Sequence, residues 1–187
     1  MPITPEPSDE ALFADYRAGD AAAFETLFRR WQAPLGRHLA RMLADPAAAD
    51  DLVMETFVRL HRHRARWREG TPLRPWLFTI ARNLARNRLR AQRLWGWLPL
   101  ASARDRTAPP PAPIDPAPVD EVRTRVAAAF AALPPAQGEA CSLRLLGELS
   151  VVEIARVTSV PVGTVKSRLF HGLRRLRALL ADLDPDA

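Results

Sequence analysis

Seven of the 18 prolines of this chain fall within residues 94–118, LWGWLPLASARDRTAPPPAPIDPAP. Proline lacks the backbone donor a helix needs, and a triple proline favours extended polyproline II, so no regular element is expected to cross this stretch. The 187 residues are thereby divided into two short halves. Each half can bury only a small core and is marginal alone, which makes dependence on a partner a reasonable expectation for one of them. Trp95 and Trp97 are too apolar for a fully solvated tether. The burial preference of tryptophan predicts that they fold back on the first half, and docking on a partner is the alternative.

Both halves read as helix throughout. Apolar residues recur at spacings of three and four, and no run of alternating β-branched residues is present. Helices are expected over Asp9–Ala18, from Asp20 through Trp31, from near Ala48 through Leu60, and over Pro72–Arg93. Beyond the linker they are expected over Val119–Leu133, Pro135–Gly147, Ser150–Thr158 and Pro161–Leu183. The fold class that follows is all-α: two small helical bundles, residues 1–93 and 119–187, joined by a flexible Pro-rich linker.

The second bundle contains a more specific pattern. In LSVVEIARVTSVPVGTVKSRLFHGLRRLR, Ser150 with Glu153 three residues on forms a capping-box signature, and Pro161 opens the next helix where its missing amide costs nothing. A short helix, a tight turn and a longer helix make a helix-turn-helix. At about 100° per residue, Val165, Leu169, Leu173, Leu176 and Leu180 cluster within roughly 80° of arc and are expected to face the core. Gly163, Lys166, Ser167, Phe170, His171 and Arg174 lie on the opposite side. Phe170 is the informative member: an apolar ring away from the core can touch a thymine methyl in a major groove.

Charge points the same way. The net charge of +6 and the pI near 11.0 suit a polyanionic partner, although part of the arginine content accompanies a general richness in Ala and Pro. Local asymmetry is more telling, since Thr56–Arg104 holds 12 arginines against one acid, Glu69. The run is threaded with Trp67, Trp76 and Phe78, and basic residues interleaved with aromatics suit single-stranded DNA. Trp76 and Phe78 are expected in the core, which leaves Trp67, in ARWREGTP, as the candidate for a base contact.

Other function classes are disfavoured. The single cysteine, Cys141, permits no internal disulfide and no thiolate zinc site. The four histidines never occur at metal-ligand spacing, and the eight glycines form no phosphate-cradling loop, so no cofactor and no catalytic activity are expected. The start, MPITPEPSDE, is acidic and Pro-broken, unlike a signal peptide, and no apolar run approaches the roughly 20 residues of a bilayer span. A cytoplasmic protein without membrane insertion is expected.

The segment LPPAQGEACSLRLLGELSVVEIARVTSVPVGTVKSRLFHGLRRLR resembles the promoter-reading C-terminal domain of extracytoplasmic-function sigma factors of the sigma-70 family. GDAAAFETLFRRW, DDLVMETFVRLHRHR and PWLFTIARNLARNRLR resemble the family's region-two domain in order and spacing. The resemblance covers residues 9–93 and 119–180, and the Pro-rich stretch falls where the family has its inter-domain linker. It implies binding to core RNA polymerase and promoter DNA, both as duplex and as melted strand, and leaves an anti-sigma partner open.

Matched position by position, the resemblance puts minus-35 recognition on Lys166, Ser167, Phe170 and His171, with Arg144 as a supporting backbone contact. It puts capture of a flipped minus-10 base on the loop around Trp67 and on Asn83, whose amide offers donors and an acceptor. It gives Asp51, Met54 and Glu55, on an acidic helix face, the role of docking on the polymerase. The chain departs from the family pattern in four places. Asn87 stands for the common Asp, Met54 for Gln, Gly138 for a frequent Arg, and Ser159 for the Gly that usually makes the left-handed turn. The competing reading, a stand-alone helix-turn-helix regulator, explains the second bundle and leaves the acidic helix and the Arg-aromatic loop without a task.

Overall fold

The computed structural model describes residues 6–43, 45–95 and 118–181. Among them are eight α-helices and no strand: α1 Asp9–Arg17, α2 Ala21–Leu43, α3 Pro46–Arg62, α4 Leu73–Trp95, α5 Pro118–Ala131, α6 Pro135–Leu145, α7 Val151–Thr158 and α8 Val162–Leu179. The linker and the side chains of Trp95 and Trp97 lie outside the described residues, so their folding back does too.

Short polar side chains start the helices by taking up amides that have no partner within the helix. Ser8 Oγ accepts from Ala11 N at 3.1 Å, and Asp20 Oδ1 accepts from Ala22 N at 2.8 Å. Asp45 Oδ1 accepts from Ala48 N at 3.0 Å. With Asp45 as cap and Pro46 in the first turn, α3 begins two residues earlier than its apolar periodicity suggests. Ahead of α7 the capping box is complete: Ser150 Oγ accepts from Glu153 N, and Glu153 Oε2 accepts from Ser150 N at 2.7 Å.

The first bundle packs α1 to α4 around Phe13, Leu27, Leu35, Leu39, Leu60, Leu77 and Phe78. In the second, Cys141 and Leu143 of α6 meet Ile154 of α7 and Val165, Leu169 and Leu176 of α8. Gly172 permits the close approach of α6 and α8, because a Cβ there would lie 2.5 Å from Cys141 Sγ. The buried line of α8 therefore runs through positions 165, 169, 172 and 176, and Leu173 is displaced to its margin. Expected inside, Leu173 is 38% exposed, and Leu180 is half-buried.

The two bundles pack against each other and share one continuous apolar core. Gly147, at the end of α6, lies so near α4 that its Cβ would sit 3.0 Å from the Phe78 ring. Gly138 has the same effect toward α2, since a Cβ there would overlap the Arg41 guanidinium. That guanidinium donates to Pro135 O at 3.1 Å and lies over the Phe130 ring. Gly138, where the family frequently has Arg, thus makes room for a bridge between the bundles.

Candidate nucleic-acid interface

The turn between α7 and α8 is closed by Ser159 in the left-handed region, at φ 58° and ψ 43°. Val160 N donates to Ala155 O at 3.2 Å, and Pro161 caps α8 from the extended region. Val165 is fully buried, which pins the first turn of α8 to the bundle and fixes the rotation of the helix. Lys166, Ser167, Phe170 and His171 consequently share the solvent face, as their angles require. Phe170 is 63% exposed, and the edge of His171 meets its ring at a centroid distance of 5.2 Å. Arg144, at the end of α6, donates to Leu149 O at 3.1 Å and braces the turn into α7.

The arginine-rich loop of the first bundle differs from its expected form. A single 3-10 turn, Arg64–Arg66, follows α3, and Gly70 at φ 79° returns the chain to α4. Trp67, the expected base contact, is only 5% exposed. Its edge packs on Phe13 at 5.4 Å, its Nε1 donates to Thr71 O at 3.0 Å, and the Arg17 guanidinium lies 5.6 Å from its centre. Charged flanks single this ring out as a candidate for a base contact, and α1 supplies it with a packing partner from about fifty residues away. In place of a projecting ring the loop forms a recess of about 250 Å³, lined by His63, Arg66, Trp67, Arg68, Thr71 and Trp76. Asn83 is exposed on α4.

On α3, Asp51 and Met54 are exposed, Met54 by 56%. Glu55 is half-buried and bound to Arg59 Nε at 2.7 Å, so the net acid of this face comes from Asp50 and Asp51. Met54 also stands at the rim of a recess of about 510 Å³ between α2 and α3, whose apolar wall includes Phe28, Ala40 and Val53. That recess is lined from α2, α3 and, through Arg123, α5, so the sequence of α3 alone does not announce it.

The contact between the bundles was not foreseen either. His38 of α2 is fully buried, and its Nδ1 lies 2.8 Å from Ser142 Oγ of α6. Burial lowers its pKa to about 3, helped by the positive charges of Arg41 and Arg82. Arg82 of α4 is itself buried, with Nε on Glu139 Oε1 at 2.8 Å and a guanidinium nitrogen 3.3 Å from Thr158 O. Arg74 reaches both Asp9 at 3.3 Å and Glu148 at 3.0 Å. One signal was available: His38 continues the buried stripe of Leu27, Trp31 and Leu35, where a polar residue calls for a partner.

Among the described residues no cluster of His, Cys, Asp and Glu could hold a metal ion, and no helix is long and apolar enough to cross a membrane. Residues 27–94 match the family Sigma-70 region 2, and residues 123–176 match Sigma-70, region 4. The chain is 36% identical to the RNA polymerase sigma factor CarQ of Myxococcus xanthus, over 90% of this chain and 95% of that protein. It is 33% identical to the ECF RNA polymerase sigma factor SigM of Mycobacterium tuberculosis, over 96% of this chain and 88% of that protein. In structure it is similar to CnrH in complex with the cytosolic domain of CnrY, with a TM-score of 0.64, 25% identity, and coverage of 93% of this chain and 97% of that one. The chain belongs to the extracytoplasmic-function sigma factors of the sigma-70 family, and is an alternative sigma factor that directs transcription initiation.

Proposed function

We propose that the work of initiation is divided between the two bundles, residues 1–93 docking on core polymerase and handling the minus-10 element, and residues 119–187 reading the minus-35 element. Residues 94–118 tether them. The observation that carries this reading is Phe170, an aromatic ring left 63% exposed beside Lys166 on the second helix of a helix-turn-helix. An ammonium that can donate to guanine and a ring that can meet a thymine methyl are suited to base edges in a major groove. Ser167 and His171 flank them, and Arg144 supports the turn.

In the first bundle the recess beside Trp67 offers an aromatic wall and arginines, the chemistry that holds one unstacked base and its phosphate. Trp67 serves there as wall rather than as a projecting platform, and Asn83 presents its amide to the same strand. Asp51, Met54 and Glu55 dock on the polymerase, with the Met54 thioether adapting to the partner surface. The chain acts in the cytoplasm and not as an enzyme. Since the similar CnrH was captured with another protein's cytosolic domain, control by a protein of the anti-sigma kind fits this chain as well.

A template melted in advance around the minus-10 element separates the two roles. Lys166→Ala or Phe170→Ala should weaken closed-complex formation by about 1–3 kcal/mol per lost contact, without rescue by pre-melting. Asn83→Ala should leave initial binding intact and slow opening, and pre-melting should restore part of the loss. Trp67→Ala is a poorer probe, because removing a buried ring costs about 3–5 kcal/mol of stability. Equal rescue of the Phe170 and Asn83 variants would end the proposed division.

A further inference from the structure

The buried polar groups at the contact between the bundles are not accounted for by DNA reading or polymerase docking. His38 of α2 sits against Ser142 of α6 with no exposed surface, and its ring meets Phe78 of α4 edge-on at 5.5 Å. Ser142 Oγ also lies 3.0 Å from Glu139 O, to which its one proton can be donated. The His38 contact is then made by a proton on Nδ1, and the opposite nitrogen is an unprotonated acceptor. That nitrogen, Nε2, is buried and has no hydrogen-bond partner. The charged groups facing this site are Arg41 from α2, Arg82 from α4 and Glu139 from α6, and burial holds the neighbouring Cys141 thiol of α6 neutral. Glu139 is held by Arg82 through Oε1, and no hydrogen bond joins its carboxylate to His38 Nε2.

We propose that this contact is a proton-sensitive latch: His38 holds the two bundles closed while neutral, and its protonation favours their separation. An imidazolium at this position would place a new N–H without an acceptor in a site closed to water, against the positive charges of Arg41 and Arg82. Once α6 is withdrawn from α2, the ring reaches solvent and takes up a proton at its ordinary value near 6.5. Closed, the same group titrates only at about 3. The depressed value means that the closed form is favoured above the open-state pKa and progressively loses that advantage as pH falls below it. From pH 7.5 to pH 5.5 the open-to-closed ratio should rise about tenfold.

Separation matters because the closed body cannot span a promoter. Elements near minus 35 and minus 10 are about 85 Å apart at 3.4 Å per base pair. A compact chain of this length has a radius of gyration of about 16 Å. The latch rests on the contact itself and not on which residues read DNA, so its failure would leave the functional reading untouched.

Small-angle scattering of the full chain between pH 7.5 and pH 5.5 measures the separation directly, in a window above the ordinary carboxylate range. The radius of gyration should increase as pH falls. The increase should be larger in Ser142→Ala, where loss of the buried bond brings the two forms closer in population. Gly138→Leu, which wedges α6 off Arg41, should be open at both pH values and calibrates the readout. His38→Asn keeps an N–H for Ser142 but cannot become charged, so its radius should not depend on pH. Should His38→Asn lose helicity, His38→Gln takes its place. A flat Ser142→Ala profile beside an open Gly138→Leu, or an undiminished pH response in the uncharged variant, overturns the proposal.

Discussion

Ser159 and Gly172 exchange the usual roles of serine and glycine. Ser159 occupies a left-handed turn position, at φ 58°, where a Cβ costs about 1–2 kcal/mol relative to glycine. Glycine gives back about 0.5–1 kcal/mol through its larger unfolded-state entropy. Ser159→Gly should therefore stabilise the second bundle by about 0.5–1 kcal/mol, seen as a raised urea midpoint with an unchanged slope. Gly172 lies within a helix, and its reason is contact: the Cys141 sulfur fills the space of the missing Cβ. Gly172→Ala should cost about 1–3 kcal/mol through overpacking, and Cys141→Ala in the same chain should recover part of it. Periodicity draws attention to Leu173 and is blind to its neighbour, because the partner that requires a glycine comes from another helix.

Elements were legible where their causes are local. The start of α7 follows from Ser150 and Glu153 alone, and Ser150→Ala should cost about 1 kcal/mol, with faster amide exchange in the first turn of α7 as the sign of lost capping. The solvent face of α8 was legible for the same reason, since one apolar stripe fixes the rotation of a helix. On α3 the acidic face was readable, but the pairing of Glu55 with Arg59 and the recess beside Met54 depend on side-chain conformation and on α2. Asp51→Arg with Glu55→Arg should abolish association with core polymerase while circular dichroism remains that of the parent. The second change also sets like charges at Glu55 and Arg59, which costs only a few tenths of a kcal/mol on a helix surface. Association that survives the double reversal would remove α3 from the docking surface.

For the whole molecule, the sequence conveyed two bundles and a tether but not their packing. A pairing such as His38 with Ser142 joins residues 104 positions apart and leaves no period or motif behind. Arg82 shows the same limit, because it stands in a basic run that suggests DNA and is instead spent on Glu139 and Thr158 O. The packing has a consequence for DNA binding by the free chain. Among the described residues the proposed duplex-reading face lies on α8, and a single helix-turn-helix has few phosphate contacts and no second half-site to add affinity. The protein alone should therefore bind promoter duplex weakly, with three or four released counterions at most giving a log–log salt slope shallower than about −4. On the proposed division of roles, core polymerase would hold the bundles apart at the promoter spacing and make the second DNA contact an intramolecular one. Filter binding or fluorescence anisotropy across a salt series, with and without core polymerase, measures both quantities. Tight, sequence-specific binding by the free chain at moderate salt would mean that the second bundle does not need the polymerase, which is the behaviour of a stand-alone regulator.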